Sequence, residues 1–506
     1  MISQIITYSL ISLTFYFSIT GYGLLGISII NTKEKFSYYN SCIFILGLNL
    51  IAFFAIIINF FFPISDLISI ITIFAGLIIY GLIKLNSLNF NFEKKKILFI
   101  FFVLITSVFF SYFTRLNDDY NYHYLTIFNY KTLALEDINH QLRTSYNSIW
   151  LIIHSMFYLS FYNESLFIIV SLLYSLVVGD SFFCLKKNLK ENNFLPMILS
   201  FFLVIFLLGV INSHKEYGTD FPGQIIYGIV FIVFFENYLK FEEKNKNIFF
   251  IILILGVFST LIKISNFWIL ILILAIFLNS KEKYIKIFKG SFYCSTLFLW
   301  IFQNYKISGC LVWPLHFTCF DNRQQAYDEL EHIERFAKGD MNLTYKLNYI
   351  ENFNWLENWF NFHFIKIIET YGLFFLILLM PLIFTIFYSF LKNISSKFYI
   401  SFKNFLNLNR THYLIFIFIT ILHFSIWFLK TPAHRFAIIS NLNMLIIFLL
   451  PIWYFMFQNN IRIFKKYLII ILVIAIAFFT ENNINKYQKY YDRHGNKWPP
   501  KLSKDV

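Results

Sequence analysis

Residues 97–124 read ILFIFFVLITSVFFSYFTRLNDDYNYHY. The segment 97–113 is almost entirely apolar and is long enough to cross the hydrocarbon core of a bilayer as a helix. Two adjacent carboxylates, Asp118 and Asp119, and then His123 follow it directly. Charged groups at the mouth of a membrane helix are costly to desolvate, so they usually have a function. This stretch therefore predicts a membrane-spanning helix that ends in a candidate functional loop.

Apolar runs of this kind recur along the whole chain. Of its 506 residues, 58% are hydrophobic and only 14% are charged, a balance foreign to soluble domains. We therefore expect an all-α, polytopic transmembrane protein. The block 247–279 is either two short helices that turn at Lys263 or one long tilted helix. The predicted spans, about 14 in number, are 4–30, 41–61, 66–83, 97–113, 164–185, 195–212, 223–240, 247–262, 264–279, 288–305, 366–391, 411–429, 435–457 and 463–480.

The positive charges fall on alternate loops. With about 14 spans, the lysine-rich loops all lie on one side of the membrane, which the positive-inside rule makes cytoplasmic. Such loops beside anionic lipid explain the net charge of +14, so no nucleic-acid partner is expected. Both termini and two long polar segments, 114–163 and 306–365, then face outward. The cytoplasmic charges include Lys33, Lys35, Lys84, Lys94, Lys95, Lys96, Lys186, Lys187, Lys190, Lys240, Lys244, Lys246, Lys281, Lys283, Lys392, Arg410, Arg462 and Lys465.

The spans and loops divide the chain into five regions. Within the outer loop, 122–135 and 148–161 are short apolar segments, which predict interfacial or re-entrant helices on the outer face. The regions are the extra N-terminal helices 1–96, the transmembrane core 97–305 with its outer loop 114–163, the extracytoplasmic loop 306–365, the C-terminal helices 366–480 and the polar tail 481–506.

The five cysteines contain no C-x-x-C or cysteine–histidine metal spacing. Cys310 and Cys319 share one polar loop, and they can pair if that loop is extracytoplasmic. The other three lie in or next to apolar spans.

Polar residues at the predicted outer surface form several groups. Some have plain structural explanations. The Asp118–Asp119 pair suits a helix N-terminus, Arg435 suits a helix-end anchor, and isolated histidines are more often structural than catalytic. Lys263 stands between two apolar halves, where it must snorkel, pair or face a polar cavity. The groups are Asp118, Asp119 and His123; Arg143, Asn147 and Trp150; His214, Lys215 and Asp220; Lys263; Trp313, Pro314, Asp321 and Arg323; and Lys430, His434 and Arg435.

Taken together, these groups suit chemistry on an anionic, lipid-linked substrate. The cations are suited to holding phosphate, and a carboxylate can take the proton of an acceptor hydroxyl as a sugar leaves. The phosphate is then the leaving group, so no nucleotide-binding loop is needed, and the sequence contains no Walker or G-x-G-x-x-G motif. Asp118 and Asp119 could also hold Mg²⁺ or Mn²⁺, although no further ligand is evident.

On these residues the chain resembles the GT-C membrane glycosyltransferases, and more closely an uncharacterised bacterial family of large membrane proteins. The shared features are an acidic motif on an outer loop directly after a membrane helix, then interfacial helices, then many spans. The matching pieces, which extend over about 115–436, are Asp118-Asp119-Tyr120-Asn121-Tyr122-His123, Tyr146-Asn147-Ser148-Ile149-Trp150, Ile262-Lys263-Ile264-Ser265, Ser308-Gly309-Cys310-Leu311-Val312-Trp313-Pro314 and Pro432-Ala433-His434-Arg435-Phe436.

The resemblance implies transfer of a sugar from a polyprenyl-phosphate donor to a glycan, lipid or protein acceptor. The enzyme would lie in the bacterial cytoplasmic membrane with its active site facing the periplasm or exterior. Asp118 or Asp119, with His123, would carry the catalysis. Substrate binding would fall to Arg143, Asn147, Trp150, Lys215, Lys263, His434 and Arg435. One departure is that the acidic loop follows about the fourth span instead of the first, which three extra N-terminal spans explain.

Two other functions remain open. A glycan polymerase or ligase of the O-antigen type would use a diphosphate-linked donor and usually paired arginines, whereas the 306–365 loop holds only Arg323 and Arg335. A transporter or flippase of lipid-linked sugars would place charges at the bilayer midplane, often in repeated halves, and no internal repeat is evident here.

Overall fold

The computed structural model describes residues 2–31, 37–86, 94–112, 123–138, 146–210, 218–238, 247–278, 283–340, 347–350, 353–392, 410–459 and 461–494. Within these ranges the chain is helical, and its only extended pairings are two isolated β-bridges. The all-α prediction is therefore confirmed for the described part. Asp118, Asp119, Arg143, His214 and Lys215 lie outside it.

The helices follow one another with short turns. They are α1 (Ile2–Ile30), α2 (Tyr39–Phe61), α3 (Asp66–Asn86), α4 (Lys94–Tyr112), α5 (His123–Thr132), α6 (Ile149–Phe157), α7 (Ile168–Glu191), α8 (Phe194–Val210), α9 (Asp220–Tyr238), α10 (Ile248–Ile262), α11 (Trp268–Leu278), α12 (Lys283–Tyr293), α13 (Ser295–Ser308), α14 (Arg323–Ala337), α15 (Leu356–Trp359), α16 (Ile365–Lys392), α17 (Arg410–Lys430), α18 (His434–Asn459) and α19 (Ile461–His494).

Seven helical segments in the described ranges are long and apolar enough to cross a bilayer, which fits a membrane protein. An eighth is obtained if the pair Leu356–Glu369 and Gly372–Met380, bent by 65°, counts as one span. The full set of about 14 spans stays a prediction. The seven segments are Ile2–Ile30, Tyr39–Phe61, Asp66–Asn86, Asn163–Glu191, Tyr413–Lys430, Asn441–Gln458 and Ile461–Asn485.

Two predicted spans differ from the structure in a way that matters for the site. The block 247–279 is a helical hairpin: α10 ends at Ile262, Lys263 is extended, and a Cβ on Gly256 would meet Ile273 of α11 at 2.5 Å. The span 288–305 is interrupted at Cys294, which separates the amphipathic α12 from α13. The tail predicted to begin at 481 continues α19 as a helix as far as His494.

The loops gather at two ends of the bundle. At one, the long-loop end, Ile64 N donates to Tyr130 O at 2.8 Å, and Trp359 Nε1 donates to Pro432 O at 2.7 Å. At the other, the lysine end, Asn247 Nδ2 donates to Asn31 O at 2.8 Å. These contacts join the same two sets of segments that the lysine distribution separates in the sequence.

A buried carboxylate organises the lysine end. Asp180 of α7 accepts hydrogen bonds from Ser41 N and Ser41 Oγ, both at 2.7 Å, and from Asn40 Nδ2 at 2.8 Å. It therefore satisfies the first amide groups of α2, which have no partner within their own helix. Beside it, Ser37 Oγ donates to Glu236 Oε1 of α9 at 2.8 Å. Asp180 thus ties α2 to α7 where both helices end.

Asp180→Ala is expected to lower the free energy of unfolding by about 2 kcal/mol, because the buried donors of Ser41 lose a charged acceptor. The measurement is the thermal unfolding midpoint of the purified protein in detergent. Ser175→Ala is the matched control, since Ser175 bonds only locally to Ser171 of the same helix. Equal midpoints for the two variants would contradict the anchoring role.

The two short apolar segments of the outer loop are helices, as predicted, but their setting is more enclosed than an interfacial position. Every residue of α6 is buried, and it packs against α2, α3, α5 and α10. A helix lying in the membrane interface would leave one face to lipid. The re-entrant alternative therefore describes α6 better. α5 is held to the α2–α3 turn, where Lys131 forms an ion pair with Asp66 at 2.6 Å.

Candidate functional site

Four elements meet around Asn147 and Ser148, just before α6 begins. Tyr130 of α5 donates its hydroxyl to Asn147 Oδ1 at 2.5 Å, and Trp300 Nε1 of α13 donates to Asn147 O at 2.6 Å. Ser148 Oγ donates to Ile262 O at the tip of the α10–α11 hairpin at 2.7 Å. The predicted residue Asn147 is therefore the centre of a junction between α5, α6, α13 and the hairpin.

Polar groups on one face of α6 have no partner among the described residues. They are Asn147 Nδ2, Trp150 Nε1 and both ring nitrogens of His154, at spacings of three and four residues that place them on one side of the helix. All three side chains are buried. A buried polar group without a hydrogen bond costs free energy, so such a row is retained where something else satisfies it. We call Asn147, Trp150 and His154 the α6 polar row.

The imidazole of His154 is held neutral. Burial, with a smaller contribution from the nearby His123, lowers the pKa of His154 to about 3. A neutral imidazole has one donor and one acceptor nitrogen, so it can bond to a hydroxyl in either direction. The structure thus brings His123, predicted to be catalytic, close to His154, which sequence reasoning treats as structural.

A second set of buried amides lies on α13. Gln303 and Asn304 are each buried, and the Gln303 amide and Asn304 Nδ2 have no partner among the described residues. They follow Trp300 by three and four residues, so they share the helix face that meets Asn147. Their signal in the sequence is three polar-capable residues on one face of an otherwise apolar run, which usually marks a functional face.

Lys263 has an acidic neighbour and does not stand alone. Its ammonium forms an ion pair with Asp220 Oδ1, which lies in the first turn of α9. The Lys263 side chain is 10% exposed and that of Asp220 is 38% exposed. The prediction that Lys263 must pair or face a polar cavity is thus met by pairing, at the hairpin tip. Asp220 also complements the N-terminus of α9.

An apolar cleft with about 350 Å³ of open space lies between α8, α9, α16 and α18. Phe202, Phe206, Phe231 and Phe374 contribute to its walls, and Asn443 is the polar exception. Phe231 lies 11 residues along α9 from Asp220, which corresponds to about 16 Å. The cleft therefore runs into the bundle from the side of α9 that carries the Asp220–Lys263 pair.

A compact cap covers the long-loop end. Cys310 and Cys319 are joined by a disulfide, and Cys310 packs with Trp313, Ala326 and Tyr146. Tyr146 donates its hydroxyl to Glu329 of α14 at 2.7 Å, one residue before Asn147. The cap thus contacts the chain immediately beside the α6 polar row.

The cations of the cap are engaged in ion pairs. Arg335 bonds to the buried Asp340 at 2.7 Å and lies 3.8 Å from Glu331. Lys338 pairs with Glu334 at 2.7 Å. Within the described residues, no group of three or more His, Cys, Asp and Glu side chains could hold a metal ion. The metal candidates Asp118 and Asp119 lie outside those residues.

Of the predicted site residues, the structure therefore brings Asn147, Trp150 and Lys263 to one region and places His123 beside it. His434 begins α18, with Arg435 next, and α18 packs against the 3₁₀ turn that follows Lys263. The residues that sequence reasoning did not select for the site are Tyr130, His154, Asp220, Trp300, Gln303 and Asn304.

Comparison with known proteins gives one match. No curated protein and no solved structure matches the chain. One family model, described as a domain of unknown function and designated DUF8201, matches residues 1–442. Because the match covers most of the helices above and the whole region around Asn147 and Lys263, the chain belongs to the DUF8201 family.

Proposed function

We propose that this protein is a GT-C-type membrane glycosyltransferase. It moves a sugar from a polyprenyl-phosphate donor to a glycan, lipid or protein acceptor on the extracytoplasmic face of the bacterial cytoplasmic membrane. The observation that carries the proposal is the junction of the α6 polar row with the Lys263–Asp220 pair, next to an apolar cleft. A lipid-linked sugar has the same three parts: a polyhydroxylated ring, a phosphate and a long apolar chain.

Each part of the donor has a counterpart. The amide, indole and imidazole groups of the α6 polar row suit sugar hydroxyls, which both donate and accept hydrogen bonds. Lys263 suits the phosphate, with Arg435, His434, Arg143 and Lys215 as further candidates from the sequence. The apolar cleft suits isoprenoid units.

The reaction is a displacement at the anomeric carbon. The acceptor hydroxyl oxygen attacks that carbon, the bond from carbon to the phosphate oxygen breaks, and the phosphate leaves with the electron pair. Asp118 or Asp119 takes the hydroxyl proton as general base, and Lys263 stabilises the negative charge on the departing phosphate. Asp119 precedes His123 by four residues, a length of chain that spans at most about 14 Å.

The disulfide supports the proposed orientation. Disulfides persist in oxidising compartments and are rare in the cytosol, so Cys310–Cys319 favours an extracytoplasmic long-loop end. The positive-inside distribution of lysines favours the same orientation independently.

Two observations favour transfer over the alternative functions. A diphosphate-dependent polymerase needs arginines free to bind its donor, whereas Arg335 is engaged by Asp340 and Glu331. A transporter needs charges at the midplane, whereas Lys263 lies at a hairpin tip beside the long-loop end.

The test is an assay of donor use by the purified protein in liposomes. We expect labelled sugar to pass from polyprenyl phosphate to a glycan or lipid acceptor, with release of free polyprenyl phosphate in equal amount. Use of a diphosphate-linked oligosaccharide in place of the monophosphate donor would identify the polymerase or ligase instead. Movement of intact labelled lipid across the bilayer without chemical change would identify a transporter.

A further inference from the structure

The exposed aromatic residues at the long-loop end form a continuous band. Phe298, Phe302 and Tyr305 are exposed at spacings of four and three residues on α13, so they share one face of the helix. The opposite face of α13 is buried and carries Trp300 and Gln303. The exposed face of α13 therefore points away from the bundle.

The band continues from α13 onto the disulfide loop. The rings of Tyr305 and Phe320 meet edge to face with centroids 5.7 Å apart. Phe320 is 71% exposed and Phe317, on the same loop, is 70% exposed. The disulfide between Cys310 and Cys319 closes the loop that presents them. Two fully presented phenylalanines on a covalently closed loop are costly in water.

The band also extends sideways to the turn between α2 and α3. Phe302 contacts Phe60 with ring centroids 5.3 Å apart, and the neighbouring Phe61 and Phe62 are exposed. Lys306 lies over the Phe302 ring at 5.8 Å, which keeps a cation beside the aromatic groups. Aromatic rings with interspersed lysines at the ends of membrane helices are typical of the interface between lipid headgroups and acyl chains.

We infer that the disulfide loop is a membrane-interface anchor, with Phe317 and Phe320 inserted among the lipids of the leaflet at the long-loop end. Lipid is the occupant that the band indicates, because the loop continues the lipid-facing side of α13 without a break. The same loop packs through Trp313 and Cys310 against Tyr146, so its insertion holds the cap beside Asn147.

Spin labels at these positions test the anchor in the full-length protein in liposomes. Cys42, Cys184 and Cys294 are first replaced by alanine, so that the disulfide stays and each new cysteine takes the label. For Phe317→Cys and Phe320→Cys we expect greater accessibility to oxygen than to a water-soluble nickel complex. The matched control is Asp328→Cys on the exposed side of α14, where the nickel complex should be favoured.

Two outcomes would overturn the inference. One is accessibility to the nickel complex at 317 and 320 equal to that at 328. The other is spin–spin broadening at 317 or 320 that disappears when labelled protein is diluted with unlabelled protein, because this would identify a second copy as the occupant.

A second measurement needs no substitution on the loop. In liposomes that contain a lipid with a photoactivatable acyl chain, we expect adducts on the peptide that carries Phe317 and Phe320. The exposed side of α3 around Phe74 and Ile78 serves as the positive control, and α14 as the negative control. Adducts on α3 without adducts on the disulfide loop would contradict the anchor even if the labelled variants failed to fold.

Discussion

Asp118→Asn is expected to lower the rate of sugar transfer by about 10²–10⁴-fold, because asparagine cannot accept the proton of the acceptor hydroxyl. Insertion and folding should be unchanged, since asparagine has nearly the same shape. We expect a smaller loss for Asp119→Asn, whose proposed role is to orient the acceptor or to bind a metal ion. The measurement is the initial rate of labelled-sugar transfer in liposomes, with protein amounts matched after gel filtration.

Asp328→Asn is the matched control for the catalytic carboxylates, since Asp328 is an exposed acid on α14 whose carboxylate bonds only to Gln324 in the described structure. It should retain full activity. Removal of divalent ions by EDTA separates the two roles proposed for Asp119, because only the metal-binding role makes the wild-type rate depend on added Mg²⁺ or Mn²⁺. Activity that survives in both single variants and in the double variant would sink the base assignment.

The helical membrane class could be predicted from the sequence, because apolar run length alone requires helices in a bilayer. The break of 247–279 at Lys263 was also within reach, since a charge between two apolar halves marks a turn. The interruption at Cys294 was not, because Tyr293 and Cys294 fit an apolar helix. There, α12 lies along the lysine end, where Tyr293 donates its hydroxyl to Ile29 O at 3.3 Å.

The site was predictable only in part. Asn147, Trp150 and Lys263 stand out because they are polar or charged beside apolar segments, and the structure brings them together. Their partners come from distant parts of the chain, such as Trp300 and Asp220, and spacing along a sequence does not show long-range contacts. Asp180 carried a usable signal, a carboxylate inside an apolar span, yet its role as the cap of α2 depends on a contact about 140 residues away.

The ion pair at the hairpin tip allows stability to be separated from catalysis. Lys263→Met should reduce transfer strongly if the ammonium stabilises the departing phosphate; losses of about 10²–10³-fold are common when one such stabilising group is removed. It should also destabilise the protein by roughly 1–3 kcal/mol, because Asp220 keeps its charge beside a methionine. This is less than for a fully buried pair, since the Asp220 side chain is 38% exposed.

The double variant Lys263→Met with Asp220→Asn decides between a structural and a functional lysine. Removing both charges leaves no uncompensated group at the hairpin tip, so the thermal unfolding midpoint should return towards the wild-type value. Transfer should stay low, because the phosphate still lacks its cation. If activity recovered together with stability, Lys263 would serve only to hold α9 against the hairpin, and the phosphate would have to be bound by other cations such as Arg435.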